Sequence, residues 1–232
     1  MRVNDQPAFI LHRREFRDSS LILDLFTLDH GRISVLARGA RQRRDRASFQ
    51  PFHRLSLGWS GNSDLKTLTS IEALALPLDP ACYLAAYYVN ELLLYLVPAQ
   101  DPHEKVFHAY QQLLVEIGVD NMEAVLRAFE MDLLCALGLM PDLLHVSRGG
   151  VAVSPRGFYR VDPEHGVVVA DDREPVAVDG ASLHAIDRRE FSERETLRAA
   201  RRVLRLIIDF HLHGRTLQSR KLYQQMYSSG YQ

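Results

Sequence analysis

The chain has 232 residues and a mass of 26.5 kDa, and its 28 Lys and Arg against 29 Asp and Glu give a formal net charge of −1. Hydrophobic residues make up 47% and charged residues 25%, which excludes extended disorder and collagen-like repeats. The longest apolar stretch, residues 92–99, is far shorter than the roughly 20 residues that cross a bilayer. No secretory signal is recognised at the start, and two cysteines are too few for a disulfide framework, so we predict a cytosolic protein.

The charges are distributed unevenly along the chain. The formal charge is +3 over residues 1–80, −7 over 81–145, −2 over 146–186 and +5 over 187–232. Two basic ends that flank an acidic middle suggest a polyanionic partner at the ends. Only three of the 28 cationic residues are lysines. Either a bias toward Arg codons or a use of guanidinium groups, which bind phosphate and stack on bases, explains this excess of arginine.

Residues 1–80 contain five short runs rich in Leu, Ile, Val, Phe and Thr, separated by turn-forming residues. These runs are residues 8–13, 20–27, 32–38, 52–59 and 66–76. Gly31 lies where a tight hairpin needs a positive φ. Because five short strands in about 80 residues fit a small barrel better than an open sheet, we predict a five-stranded oligonucleotide-binding barrel (OB-fold) over residues 1–78.

Helical periodicity replaces strand alternation after residue 79. Helices are predicted over residues 80–97, 102–117, 121–137, 192–213 and 219–227. Asp79 and Asp101, each followed by proline, are predicted N-caps. Ser192 and Glu195 are predicted to form a capping box. The short loops between the first three helices predict antiparallel packing.

Residues 146–180 lose the helical period. Short strands are predicted there over residues 151–153, 157–161 and 167–170. The predicted fold class is therefore α+β, with an N-terminal OB-fold barrel over residues 1–78 and a helical domain over residues 79–232. This helical domain carries a small β-rich insertion at about residues 144–180.

A run of arginines between the third and fourth predicted strands is the sharpest functional signal. Arg41, Arg43, Arg44 and Arg46 lie in a loop, where they cannot be part of a core. Such a loop can bind successive phosphates, and each contact releases condensed counterions. A merely solvated loop is the alternative. Further cations of the same zone are predicted to contribute, and these are Arg14, Arg17, Arg38 and Lys66.

Aromatic residues are interleaved with these cations. They are Phe16, Phe49, Phe52 and Trp59. One or two of them could stack on the bases of a single strand. The alternative, which is the commoner role for each residue, is the core of the barrel.

The predicted helix over residues 192–213 carries a second basic surface. Arg194, Arg198, Arg201 and Arg205 recur at helical spacing and lie within about 60° on one face. The last three are the predicted DNA contacts, and we call them the arginine stripe. Apolar residues occupy another face of this helix, which must be buried. The stripe either contacts phosphate or forms salt bridges to the acidic segment 81–145.

Catalytic motifs are scarce in this sequence. It contains neither a phosphate-binding Gly-rich loop nor a His-Glu-x-x-His motif. Cys82 and Cys135 fall within apolar helical patterns, which predicts buried and inert thiols. The sequence thus predicts a protein that is not an enzyme. Two alternatives remain open: a protein–protein adaptor without intrinsic DNA grip, and a metal-free hydrolase that uses an Asp/His pair.

Several motifs, taken in order, resemble the RecO family of recombination mediators over nearly the whole chain. In the N-terminal zone they are AFILHR at 8–13, SSLILDLF at 19–26, HGRISVLARGAR at 30–41, QPF at 50–52 and LKTL at 65–68. In the helical zone they are NELL at 90–93, RAFE at 127–130, TLRAARR at 196–202 and LQSRKL at 217–222.

This resemblance implies a DNA-binding protein of DNA repair and recombination, in a RecF-type pathway. It implies that the chain binds single- and double-stranded DNA and anneals complementary strands. The implied protein partners are RecR and the acidic, apolar C-terminal tail of single-strand-binding protein (SSB). With them the protein would help to load RecA recombinase on SSB-coated DNA. The expected location is cytoplasmic and nucleoid-associated.

The resemblance also implies a residue for the SSB tail. Arg127 matches the family's Leu-Arg-x-Phe-Glu pattern, and besides Lys105 it is the only basic residue within 81–145. We therefore predict that Arg127 stands out on an acidic surface and binds the terminal carboxylate of the tail. The alternative is a helix salt bridge from Glu123 to Arg127.

Many family members carry a four-cysteine zinc site in the part that corresponds to about residues 144–166. This stretch holds His145 and His165 but no cysteine. We therefore expect that the zinc site has been lost, that the chain uses no metal or cofactor, and that the β-rich insertion is held by packing alone.

Overall fold

Five strands close into a barrel in the computed structural model, which describes residues 2–228, with only the backbone at residues 227 and 228. The strands are β1 (Arg2–Phe16), β2 (Ser20–Thr27), β3 (Gly31–Ala37), β4 (His53–Ser60) and β5 (Leu65–Ala75). They are hydrogen-bonded in the order β1-β2-β3-β5-β4, and β1 also pairs with β4. β3 and β5 are parallel, and every other pair is antiparallel. This is the topology of an OB-fold, as predicted.

The long strand β1 closes the barrel because it pairs with two neighbours. Its first half pairs with β4 as far as Ala8, and its second half pairs with β2 from Ala8 to Phe16. The β1–β4 register shifts between Val3 and Gln6, where Asp5 adopts a φ of 52°. Such an irregularity bends a strand and increases its twist, which allows a five-stranded sheet to meet itself.

Alternating apolar side chains fill the barrel. Leu23, Leu25 and Val35 are fully buried inside it, and Trp59 reaches the same core from β4. Phe49, which lies outside the strands, is also fully buried in this core. The barrel interior is therefore a packed core, and ligands are left with its outer surface and its ends.

Six α-helices lie among residues 2–228. They are α1 (Tyr83–Leu96), α2 (Glu104–Glu116), α3 (Met122–Ala136), α4 (Gly180–Asp187), α5 (Arg194–His211) and α6 (Gln218–Ser228). Five of them were predicted, whereas α4 was not. No helix among residues 2–228 is long and apolar enough to span a bilayer.

Of the three predicted helix caps, one is present. The Asp79 carboxylate accepts a hydrogen bond from the backbone N–H of Ala81. The prediction for Asp101 is wrong, because its carboxylate lies 3.1 Å from the ring of His103, and His103 is the N-cap of α2. The predicted capping box at Ser192 is also wrong, because α5 has Glu193 as its N-cap, without a side-chain cap bond.

Aromatic side chains attach α2 to the outer surface of the barrel. The ring of Phe107 lies 5.3 Å from Phe9 and 5.5 Å from Phe26, between centroids. Tyr110 packs edge-on against Phe9 at 5.0 Å and donates a hydrogen bond to the Asn90 side chain at 2.6 Å. Asn90 in turn donates to the carbonyl of Leu11 at 2.9 Å. Burial of Tyr110 raises the pKa of its phenol well above the ordinary value, so the hydroxyl stays protonated and can donate.

The chain folds into two compact units, Met1–Asp120 with Leu217–Gln232, and Asn121–Thr216. These units differ from the predicted domains 1–78 and 79–232, because α1 and α2 belong with the barrel. The last helix, α6, also returns to the first unit. Its N-terminal backbone N–H groups, those of Gln218 and Ser219, donate to the Glu91 carboxylate at 2.8 and 2.9 Å.

The second unit contains α3, α4, α5 and a small antiparallel sheet. The sheet has the order β7-β6-β8, with β6 (Phe158–Asp162), β7 (Gly166–Val169) and β8 (Val178–Asp179). The β-rich insertion is thus present, but the strand predicted over residues 151–153 is reduced to one bridge between His145 and Ala152. Helix α4 follows β8 directly, since the Asp179 side chain accepts from the backbone N–H of Ser182 at 2.8 Å.

The barrel's dependence on its helices can be tested at Gly31. It has a φ of 62°, and a Cβ there would overlap the backbone of Asp101, which precedes α2. We expect Gly31→Ala to lower the free energy of unfolding by at least about 3 kcal/mol, from strain and collision together. Gly39→Ala is the matched control, because Gly39 has a φ of 65° but open space at its Cβ position. It should cost about 1 kcal/mol from strain alone. If urea unfolding shows the same loss of unfolding free energy in Gly31→Ala and Gly39→Ala, a collision with Asp101 does not contribute.

Candidate nucleic-acid interface

The strand registers bring the basic segments of the first unit to one end of the barrel. Phe16 pairs with Ser20, and Leu21 pairs with Ala37, so the β1–β2 turn lies beside the end of β3. The segment from residue 38 to residue 52, which we call the arginine loop, begins at this end. The opposite end holds the β2–β3 turn, which is covered near Gly31 by the chain that precedes α2.

Arg41 fastens the arginine loop to the β1–β2 turn. Its backbone N–H donates to the carbonyl of Ser19 at 2.9 Å. Its guanidinium donates to the Glu15 carboxylate and to the carbonyl of Asp18. Arg41 was predicted to bind phosphate, but its fork is already engaged in bonds that position the loop. A charge-assisted bond of this kind contributes more to local order than a neutral one.

Arg43 is the second arginine whose charge is used inside the loop. It donates two parallel hydrogen bonds to the Asp45 carboxylate, at 2.9 and 2.7 Å, and its guanidinium lies 5.4 Å from the ring of Phe49. The Arg43 guanidinium holds the pKa of Asp45 below its usual value. Because Phe49 is buried in the barrel core, the contact of Arg43 with its ring and the ion pair of Arg43 with Asp45 fix the conformation of this part of the loop.

The remaining basic residues of this end are open to a ligand. Within the described part of the chain, the side chains of four exposed arginines make no ion pair or hydrogen bond, and these are Arg14, Arg38, Arg44 and Arg46. Arg17 is also exposed and lies over the ring of Phe16 at 5.1 Å. The structure therefore divides the predicted phosphate-binding arginines into a structural pair and an available group.

A cleft of about 460 Å³ opens between the end of β1, the start of β2 and the arginine loop. It is lined by Arg13, Arg14, Glu15, Leu21, Ala40, Arg41, Arg46, Ala47 and Gln50. Arg13 donates to the carbonyl of Phe49 at 3.3 Å and so belongs to the wall of the cleft. Gln50 and Ala47 are not among the predicted site residues, because neither carries a charge and the QPF motif at 50–52 supports only the family resemblance.

Three of the four aromatic residues of this zone belong to the core. Phe49 and Trp59 are fully buried and Phe52 is 6% exposed, so these rings have no free face for a base. Phe52 packs instead against Tyr83 and Tyr87 of α1. The interpretation as barrel core, which the sequence left open, is correct for Phe49 and Trp59, whereas Phe52 is buried against α1.

Lys66 does not present its ammonium group at the surface, in contrast to the prediction. The residue is 8% exposed, and its Nζ lies 3.4 Å from the carbonyl of Ser63. The cause is the parallel pairing of β3 with β5, which places Lys66 beside Val35. A buried lysine cannot supply the freely hydrated charge that phosphate contacts require.

The arginine stripe lies on the exposed face of α5, in the second unit. Its three members, Arg198, Arg201 and Arg205, are exposed, while Ala200, Leu204 and Ile208 are buried on another face. Arg201 lies 3.8 Å from Glu123, and Arg205 lies 3.4 Å from Asp209. Arg198 makes no such contact with the described residues. The structure thus contains one ion pair from the stripe to the acidic segment, and phosphate contact by the stripe stays a prediction.

Arg127 is not an exposed cation, in contrast to the prediction. It is 7% exposed and donates to the Glu130 carboxylate at 2.8 Å. Its partner is Glu130, one turn along α3, and Glu123 faces Arg201 instead. The Nε of Arg127 is buried and has no acceptor among the described residues. Arg127 therefore keeps one donor without an acceptor, but this donor is not exposed at the surface.

The histidines and cysteines of the chain offer poor donors for a metal. Residues 2–228 contain no cluster of three or more His, Cys, Asp or Glu placed to bind one. His145 is bonded to Asp142 and His165 to Asp162, each at an exposed turn. The residues present therefore do not fit the family's zinc site. Cys82 is buried as predicted, whereas Cys135 is exposed, although partial burial still raises the pKa of its thiol.

The barrel with its basic end defines an OB-fold protein with a candidate nucleic-acid interface. Comparison with known sequences identifies the family: residues 1–77 match the N-terminal domain, and residues 77–221 the C-terminal domain, of Recombination protein O. The chain belongs to the RecO family of DNA repair and recombination proteins, in agreement with the resemblance. The junction of the two family domains, at residue 77, lies within the first compact unit.

Relatives named DNA repair protein RecO are similar to the chain over nearly its whole length. The protein from Vibrio cholerae is 39% identical over 225 residues, which cover 95% of this chain and 93% of the relative. The protein from Methylococcus capsulatus is 40% identical over 228 residues, with 96% and 94% covered. That from Actinobacillus pleuropneumoniae is 37% identical over 227 residues, with 95% of each covered.

The structural role of Arg41 can be separated from DNA binding by hydrogen exchange. We expect Arg41→Ala to raise the exchange rates of backbone amides in residues 38–50 at least about tenfold, because a hydrogen bond to a charged group contributes about 1.5–3 kcal/mol. Arg44→Ala is the control and should leave these rates unchanged, since Arg44 has no partner in the described structure. Similar rates in both variants would mean that Arg41 does not hold the loop.

Proposed function

We propose that this chain binds single- and double-stranded DNA and anneals complementary strands, without catalytic turnover and without a metal or cofactor. The observation that carries the proposal is the group of exposed, unpaired arginines at one end of the barrel: Arg14, Arg38, Arg44 and Arg46. A protein that neutralises phosphates releases counterions, and this term supplies most of the affinity for DNA irrespective of sequence. Arg17 adds to this surface. A DNA ligand would place the protein in the cytoplasm, associated with the nucleoid.

Annealing follows from the same charge arrangement. Two DNA strands repel each other through their phosphates, and a basic surface that binds both strands lowers this repulsion. Phosphate contacts fix the position of a strand but leave the base edges free. A second strand can therefore pair with the first while both backbones lie near the guanidinium groups. The arginine stripe on α5, with Arg198 open, is a second candidate surface for DNA in the proposal.

The protein partners in the proposal are RecR and the C-terminal tail of SSB, and with them the chain would help to load recombinase on SSB-coated DNA. The support is family membership together with the charge of the helical segment. Residues 81–145 carry a formal charge of −7, which repels DNA and leaves their surface to proteins. An acidic tail needs a local cation in such a segment. We propose Arg127 for this role, because its Nε is a donor without an acceptor among the described residues.

The salt dependence of DNA binding tests the barrel end. We expect the triple variant Arg14→Ala, Arg44→Ala, Arg46→Ala to lower the slope of log K against log salt for single-stranded DNA by about 2, at roughly 0.7 per lost contact. Annealing of complementary oligonucleotides should slow in parallel. Stability should change little, because all three side chains are exposed.

The matched control removes three other arginines. Arg148, Arg156 and Arg160 are exposed in the second unit, near or within its small sheet, and make no contact with the described residues through their side chains. The corresponding triple alanine variant has the same net charge as the test variant. If both variants lose the same slope, or if neither does, the barrel end is not the DNA site. DNA binding that changes in neither triple variant would favour the alternative function, a protein–protein adaptor.

Titration with a fluorescent peptide of the SSB tail tests Arg127. The double variant Arg127→Met, Glu130→Gln avoids a buried unpaired carboxylate, and we expect it to bind the peptide at least tenfold more weakly. Glu130→Gln alone should bind at least as tightly as the wild type, since it frees the guanidinium. If binding survives the double variant but falls in Arg198→Ala, the stripe on α5 is the site and Arg127 is not.

A further inference from the structure

The cleft at the basic end of the barrel has properties that a phosphate site alone does not require. A phosphate needs donors, whereas part of this cleft is formed by Leu21, Ala40 and Ala47, which offer none. Leu21 and Ala40 are held in place because both belong to the barrel core. Its volume of about 460 Å³ lies in the range of sites that enclose a small organic ligand. The cleft therefore suits a ligand with an apolar face as well as a charge.

The four arginines that line the cleft differ in their bonding: two have hydrogen-bonded side chains and two do not. Arg13 and Arg41 are engaged with the carbonyls of Phe49 and Asp18, which fixes them as walls. The side chains of Arg14 and Arg46 are exposed and make no hydrogen bond or ion pair within the described part of the chain. A fixed guanidinium offers a flat surface for stacking, and a free one offers donors for phosphate oxygens. Both kinds occur within one cleft.

Gln50 completes the lining. Its side-chain amide has both a donor and an acceptor and makes no bond in the described structure. An amide can therefore pair with the edge of any base. It carries no charge, so it adds nothing to the attraction of phosphate. Its position favours a ligand that has a polar edge beside an apolar face.

From these features we infer that the cleft holds one unpaired nucleotide of single-stranded DNA, with the base in the cleft and its phosphate on Arg14 and Arg46. This inference rests on the proposed function and adds a source of strand preference to it. A base in a duplex is stacked and paired, and must be extruded at an energetic cost before it can enter such a pocket. The cleft thus favours single strands, whereas the surrounding arginines bind either form.

A variant that fills the cleft without changing any charge tests this inference. Ala47 is exposed at the rim, so Ala47→Trp should block the cleft and leave the barrel core intact. We expect it to weaken binding of a 20-nucleotide dT oligomer at least fivefold and binding of a 20-base-pair duplex less than twofold, by fluorescence anisotropy. Gln42→Trp places the same ring on an exposed residue of the loop that does not line the cleft. It should change neither affinity.

The wild-type protein supplies a measurement that does not depend on a variant. An oligomer with a tract of abasic sites keeps its phosphates but has no bases to insert, so it should bind at least fivefold more weakly than dT. Equal binding of the two oligomers would overturn the inference, as would an Ala47→Trp variant that binds dT normally. Neither result would contradict the proposed function if the triple variant of Arg14, Arg44 and Arg46 shows the expected decrease in the slope of log K against log salt. Loss of the proposed function itself would appear as an unchanged slope in that variant.

Discussion

The contact of Phe107 with Phe9 and Phe26 constrains the rest of the first unit. The rings of Phe9 and Phe26 lie on the outside of the barrel, where an isolated five-stranded domain would expose them to water. Helix α2 covers them, and Asn90 of α1 joins the same contact through Tyr110 and the Leu11 carbonyl. This packing takes one region of the barrel surface away from any ligand. The basic end, formed by the β1–β2 turn and the arginine loop, remains available.

The arginines of that end show how one residue type serves both structure and recognition. Arg41 and Arg43 direct planar forks at carboxylates and carbonyls, and they hold a loop of little regular structure close to the barrel. Arg14 and Arg46 remain exposed beside them. A rigid loop fixes the spacing of its free charges, which lowers the conformational entropy lost when a strand binds. In the proposed complex, the anchored arginines therefore contribute to binding by fixing the positions of the free charges.

Local patterns in the sequence predicted the five strands of the barrel, its closure, the position of the arginine loop and most helices, because alternation, turn residues and helical spacing are local properties. Pairings between distant residues could not be predicted in this way. Arg41 meets Glu15 across the β1–β2 turn, and Lys66 is buried because β5 pairs with β3; neither contact leaves a signal in its own segment. The ion-pair partner of Arg127 could not be predicted for a similar reason, since both Glu123 and Glu130 lie at helical spacing from it, and tertiary packing decides between them.

The return of α6 to the first unit has a consequence for the order in which the molecule can be completed during synthesis. Glu91 gains the backbone partners at residues 218 and 219 only after residues 121–216 have been translated. Until then the Glu91 carboxylate lacks these two hydrogen bonds, and α1 lacks its contact with α6. The barrel, α1 and α2 can therefore form early during synthesis on the ribosome. The first unit is completed only when α6 docks on α1, after the whole of the second unit has been synthesised.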